Sequence, residues 1–264
     1  ASAWASAAGT LQSGSATNGT WSFTTNYATA VAGETYQIYY VAQDIVGTPN
    51  ISTAPNGGAH TDVNTQTTAP SAPYSYLITS GYSGTYTVGT GGNYSTLTGA
   101  GGFFSAINAG TVTGNITVNI LSDITEAGTN GLNQILEDGV GNYTLTIQPS
   151  DATIKNITGN YSGGTLIRLD GCDRVTIDGR SGGSGRYLLF RHTFTTRGTI
   201  SIQSDASYNT IRNCIIEGPM TTTNGGVLVI APGTTVITGN DYNTITENQI
   251  RDRSDAAGVP GNLI

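Results

Sequence analysis

Charge is what this chain has least of. Lys, Arg, Asp and Glu make up 10% of its 264 residues, against about 25% in an ordinary globular domain. With 10 basic and 17 acidic residues and a net charge of −7, no basic patch is on hand for a phosphate backbone, which argues against nucleic acid as a partner. No run of about 18 apolar residues occurs, so no segment reads as a membrane-spanning helix. Nor does a charged stretch lead into an apolar one at the start, as a signal peptide would. The two histidines, His60 and His192, fall in different predicted domains and make a poor basis for a shared metal or catalytic site. The two cysteines, Cys172 and Cys214, read as separate small buried residues rather than a disulfide, and they assign no compartment.

Glycine, by contrast, is plentiful, at 37 residues. Low charge with abundant Gly, Thr, Val, Ile and Tyr favours an all-β chain with many tight turns. The organising signal is a repeat. Val175-Thr176-Ile177 recurs as Asn209-Thr210-Ile211 and as Asn243-Thr244-Ile245, and the two intervals are equal. A fixed period of tens of residues, built from short β-branched runs closed by Asn, Asp or Gly, marks a solenoid. A further run accompanies each turn: Leu166-Ile167-Arg168-Leu169, then Ile200-Ser201-Ile202, then Val227-Leu228-Val229-Ile230. Two or three short strands per turn predict a parallel β-helix. Tyr208 and Tyr242 share a phase in it, as do Cys214 and Asn248, and Asn at such a corner predicts a ladder in which each amide donates to the next.

Residues 1–73 predict a partial antiparallel β-sandwich. Thr20-Trp21-Ser22-Phe23 alternates, as does Tyr36-Gln37-Ile38-Tyr39-Tyr40-Val41-Ala42, which puts Tyr36, Ile38, Tyr40 and Ala42 on one face. A polar, Gly- and Pro-containing connection is expected over 47–58, a last strand over 60–67, and a Pro-broken linker from 68 that continues through 74–83. The stretch Val31-Ala32-Gly33-Glu34-Thr35-Tyr36-Gln37-Ile38-Tyr39-Tyr40-Val41-Ala42-Gln43-Asp44 resembles the late strands of a fibronectin type III module, in which Tyr36 would tie down a corner.

Residues 84–264 predict the β-helix. Thr85-Tyr86-Thr87-Val88 reads as its first strand. Phe103, Phe104 and Ile107 give a short amphipathic helix within 98–108, ending near Gly110, as a cover for the open end. Coils follow at Ile116-Thr117-Val118-Asn119-Ile120 and Tyr143-Thr144-Leu145-Thr146-Ile147. The step from Ile154 to Ile177 is smaller than the later ones and reads as a shorter early turn, and 181–185 reads as a projecting loop. The segments Tyr94-Ser95-Thr96-Leu97, Ile116-Thr117-Val118-Asn119-Ile120, Asp170-Gly171-Cys172-Asp173-Arg174-Val175-Thr176-Ile177-Asp178-Gly179 and Tyr208-Asn209-Thr210-Ile211-Arg212-Asn213-Cys214, in this order, resemble the right-handed β-helix domains of very large bacterial surface proteins. Those proteins are adhesin-like, combine β-helix and fibronectin-like units, and are exported by type IX secretion. The resemblance implies an extracellular or cell-surface location and brings no catalytic motif. A start at Ala1 without Met and an end at Asn262-Leu263-Ile264, within a strand-like run, read as a piece of a longer processed chain.

Candidate chemistry is sparse. Asp170, Asp173 and Asp178 form the densest acidic cluster, which could hold Ca²⁺ as a cofactor or act as paired carboxylates on a glycoside. The competing reading makes them turn residues that accept backbone amides beside Gly171 and Gly179. Arg186, Arg191 and Arg197 near His192 could stabilise an enolate in a lyase, or be solvated loop residues. Tyr82, Tyr94, Tyr161, Tyr187, Tyr208 and Tyr242 are expected at the surface, with Tyr208 and Tyr242 the ligand-binding candidates because they share a face. Seven Asn-x-Ser/Thr triplets, at Asn18, Asn50, Asn93, Asn115, Asn142, Asn156 and Asn160, are weak glycosylation signals in so Thr-rich a chain. The reading is a structural or adhesive module whose partners are other domains of the same chain and a surface polysaccharide or protein. The alternatives are a carbohydrate-active β-helix enzyme, lyase or hydrolase, or its carbohydrate-binding part.

Overall fold

A computed structural model describes residues 4–24, 34–48, 50–63, 65–78, 81–138, 141–221, 225–232, 238–255 and 260–264. The chain divides into two compact units, Ala1–Ser80 and Gly81–Ile264.

Among its described residues the first unit holds eight short strands: β1 (Gly9–Ser15), β2 (Asn18–Phe23), β3 (Thr35–Ile38), β4 (Tyr40–Gln43), β5 (Ile51–Ala54), β6 (Ala59–Asp62), β7 (Thr65–Thr68) and β8 (Tyr74–Leu77). They pair antiparallel as β1–β2, β3–β8, β4–β5 and β6–β7. Small antiparallel sheets are therefore what the described residues of this unit contain. The alternating run from Tyr36 to Ala42 does not stay on one face. It breaks at Tyr39, whose ring packs edge-on against Trp4 at 4.9 Å, and the inward phase moves from Tyr36 and Ile38 to Val41 and Gln43. The expected connection over 47–58 contains β5, the expected strand over 60–67 is the β6–β7 hairpin, and part of the expected linker is β8. Tyr36 donates its hydroxyl to the Glu34 carboxylate at 3.0 Å, while Val31, Ala32 and Gly33 of the fibronectin-like stretch lie outside the described residues.

The second unit is a parallel β-solenoid. Its elements are β9 (Gly81–Val88), α1 (Phe103–Asn108), β10 (Thr111–Ile120), β11 (Ile124–Glu126), β12 (Leu132–Asn133), β13 (Leu145–Pro149), β14 (Lys155–Gly159), β15 (Ile167–Asp170), β16 (Val175–Asp178), β17 (Leu188–His192), β18 (Ile200–Gln203), β19 (Thr210–Arg212), β20 (Ile215–Glu217), β21 (Leu228–Ala231), β22 (Thr244–Thr246) and β23 (Gln249–Arg251). Each of four turns, from β10 to β21, deposits one strand on each of three parallel sheets, which among the described residues run β9-β10-β13-β16-β19-β22, β11-β14-β17-β20-β23 and β12-β15-β18-β21.

The registers stack like residues on like. Tyr86, Val118, Ile147, Ile177, Ile211 and Ile245 form one column; Ile124, Ile157, Phe190, Ile216 and Ile250 form the second; Leu132, Leu169, Ile202 and Ile230 form the third. The steps from Ile177 to Ile211 and from Ile211 to Ile245 are the equal intervals read from the sequence. The rung before Ile177 starts from Ile147, not Ile154. Ile154 is 50% exposed and lies in the connection before β14, so its β-branched side chain mimics a rung position that it does not occupy. Burying each such aliphatic side chain is worth about 1.5–3 kcal/mol.

Helix α1 stands where the first turn would place a strand of the third sheet. It packs on β12 and β10, burying Phe103, Phe104 and Ile107. Its last residue closes the exposed edge below: Asn108 Oδ1 accepts the Asn133 amide at 3.0 Å, and Nδ2 donates to the Gly131 carbonyl at 2.8 Å. At the other end of the stack, the amides of Val227 and Leu228, at the start of β21, donate to the carbonyls of Asn262 and Leu263.

Candidate functional site

Asp170, Asp173 and Asp178 do not converge. Asp170 ends β15 in the third sheet, and Asp178 ends β16 in the first. Asp173 accepts the Ser207 amide of the next turn at 2.8 Å. Asp178 binds Arg180 at 2.9 Å and Arg212 at 2.8 Å. Burial works against its charge, but the bonds from Arg180 and Arg212 outweigh it and hold the carboxyl below its ordinary range. Among the described residues, no group of three or more His, Cys, Asp or Glu is placed to hold a metal.

Tyr208 and Tyr242 are brought together, their rings stacked at 4.8 Å and 10°. They are 57% and 74% exposed. With Arg174 above them they make a column of left-handed corners, φ 59°, 59° and 55°, a conformation bulky residues seldom adopt. Tyr82, Tyr94 and Tyr161, expected at the surface, instead pack against the core. Tyr82, Tyr86 and Tyr94 join Phe103 in an aromatic cluster under the cap, where burial pushes the Tyr94 phenol up to about 12.

Most groups capable of chemistry are committed to holding turns together. His192 is buried; its Nε2 accepts the Tyr161 amide at 3.0 Å and its Nδ1 meets the Arg197 carbonyl at 3.3 Å. Burial lowers its pKa. The backbone of His60 lies in β6, and its side chain lies outside the described residues. Cys172 and Cys214 are buried and unpaired, their thiols raised by burial. Glu217, with no exposed side-chain surface, bridges Arg191 and Arg251 of the adjacent rungs at 2.7 Å each. Burial opposes its ionisation, and the bonds from Arg191 and Arg251 prevail, so its pKa is lowered. Arg191, Arg186 and Arg197 therefore form no cluster: Arg186 donates to the Glu247 carbonyl and Arg197 to that of Ser162.

Sequence reasoning missed Glu126. Its carboxylate, 2% exposed, accepts the amides of Leu97 and Thr98 at 2.7 Å each and the Thr98 hydroxyl. That bond set fastens the segment lying over the start of the second sheet, and burial raises the Glu126 pKa. The corner asparagines, Asn209 and Asn243 in one column and Asn248 in the next, also work differently from the amide-to-amide ladder. Asn209, Asn243 and Asn248 each accept, through Oδ1, a backbone amide 34 residues earlier at 2.9 Å. Each donates Nδ2 to a carbonyl 37 residues earlier at 2.7–2.9 Å. Left-handed corners interrupt the sheet ladders, and the side-chain amides take up the backbone groups this leaves.

One concavity stands out. It encloses about 530 Å³ outside three successive connections from the second sheet to the third, and is lined among others by Tyr161, Arg168, Thr196, Arg197, Gln203 and Met220. All ten basic residues lie from Lys155 onward. Seven of them (Lys155, Arg174, Arg180, Arg191, Arg212, Arg251 and Arg253) are in ion pairs. Of the other three, Arg168 and Arg197 both line this concavity. Comparison of the chain with protein-family models, curated proteins and solved structures finds no match.

Proposed function

We propose that this chain is a non-enzymatic extracellular or cell-surface module, a stiff stalk or binding surface within a large bacterial surface protein of the adhesin-like, type IX-secreted kind. In this reading the solenoid coils right-handed, as parallel crossover connections do, and the first unit is a fibronectin-like neighbour. The observation that carries the reading is the use made of the buried reactive groups. Glu126, Asp178, His192 and Glu217 each spend their bonds on an adjacent backbone or arginine, so these groups serve the stacking of turns rather than standing free as the nucleophile, acid or base that glycoside cleavage requires. The outer surface is then what remains to serve function.

The test is incubation of the protein with a panel of surface and environmental polysaccharides, scoring both retention and product release. Expected is retention without new reducing ends and without unsaturated sugars. Time-dependent release of either, abolished by boiling, overturns the reading.

A further inference from the structure

We infer that the concavity between the second and third sheets is a docking site for a carboxylate-bearing glycan, with Arg197 as the group that grips the carboxylate and Arg168 as fixed positive charge beside it. The inference deepens the binding-surface reading and rests on it for the class of partner.

The argument starts from the arginines. In a chain of net charge −7, an arginine without a carboxylate among the described residues is the exception, and two of the three exceptions face one concavity. Asp170, further along β15 than Arg168, forms no ion pair with either and is not among the lining residues. Arg168 is held rigidly. Its Nη1 donates to the carbonyls of Gly128 at 2.6 Å and Thr165 at 3.0 Å, its Nη2 to that of Thr129 at 2.9 Å, and its guanidinium lies 5.5 Å from the Tyr161 ring centroid. Carbonyls and a π face orient the cation without cancelling its charge. Arg197 is tethered through Nε alone, to the Ser162 carbonyl at 3.0 Å. Its two terminal nitrogens meet no partner among the described residues, so the planar fork that suits a carboxylate is open.

The surroundings fit a sugar. Thr196 and Gln203 offer hydroxyl and amide groups, and Met220 and Val229 offer apolar surface. Gly163 and Gly164 lie against the Tyr161 ring, which joins the lining. Because the lining repeats over three turns, the site runs along the stack, as a polymer demands.

The experiment measures binding of the whole chain to polygalacturonate, dextran sulfate and dextran, with Arg197→Gln, Arg197→Lys and Arg186→Gln alongside. Expected are retention of polygalacturonate but not of dextran, affinity at least tenfold weaker in Arg197→Gln, partial loss in Arg197→Lys, and none in Arg186→Gln. Hydrogen exchange of the unsubstituted chain with polygalacturonate adds a readout that needs no variant, with protection expected at residues 161–168 and 196–198. Three results overturn the site: Arg197→Gln binding as well as the original, dextran sulfate preferred over polygalacturonate, or protection elsewhere. Absence of uronate binding overturns this site alone, since product release decides the non-enzymatic reading separately.

Discussion

At the scale of single residues, the solenoid is held by side chains that reach back one full turn. Asn209 is fully buried, with its oxygen on the Val175 amide and its nitrogen on the Cys172 carbonyl. Asn209→Ala strands both backbone groups, and a loss of about 1–3 kcal/mol is expected in denaturant unfolding of the second unit. Gly179→Ala is expected to destabilise as well, because a Cβ there collides with the Asn213 carbonyl and neither backbone can yield cheaply. His192 makes the fold sensitive to acid. Its folded pKa lies below the ordinary 6.5, so folding favours the neutral ring. The stabilisation is complete above that value and is lost as pH falls through the folded pKa. Thermal midpoints should decline as the pH is lowered from 6.5, before the paired carboxylates titrate, and His192→Gln should flatten that decline.

At the scale of elements, the cap and the Arg–Glu–Arg ladder carry separable loads. Phe103 is fully buried in α1 and touches Tyr86, Tyr94 and Phe104. Phe103→Ala should cost about 3–5 kcal/mol and uncover the edge of β12, visible as self-association in size-exclusion chromatography. Glu217→Ala removes the carboxylate that bridges Arg191 and Arg251, leaving Arg191 with Asp255, and about 1–3 kcal/mol is expected to be lost. Arg251→Gln, at a 38% exposed side chain, should cost under about 1 kcal/mol. The rungs were legible because Ile177, Ile211 and Ile245 repeat in both type and spacing, and the cap because Phe103, Phe104 and Ile107 keep a helical period. Glu126 was not legible, since a lone acidic residue after Ile-Thr carries no local sign that Leu97 and Thr98, nearly a full turn earlier, will use its oxygens. The concavity has no sequence signature for a related reason: Arg168 and Arg197 lie on different turns and come to one concavity only when one turn is laid on the next. In the first unit, alternation around Tyr39 predicted one continuous strand, and the packing of that ring on Trp4 shifted the phase.

At the scale of the whole molecule, the two units differ in what they bury. Pro70 is the one buried residue among those described in the first, whereas the second contains a continuous apolar column in each of its three sheets. Amide exchange should be slowest in β13, β16, β17 and β18. It should quicken toward β22 and β23, where Ile230 is 51% exposed and Ile245 only partly covered, and be fastest in the small ladders of the first unit. Equal rungs also make length a matter of arithmetic. Ile177, Ile211 and Ile245 stack in one register, and the corner asparagines reach back by the same count, 34 positions. Duplicating one such block therefore inserts a turn whose alternation agrees with its neighbours. The shorter steps from Val118 to Ile147 and from Ile147 to Ile177 keep the same phase, so the connections absorb changes in count, whereas a one-residue slip inside a strand would turn its apolar side chain outward. Growth or trimming by unequal copying is thus tolerated as whole repeats or within connections, and homologous chains of different reach should keep their strands intact.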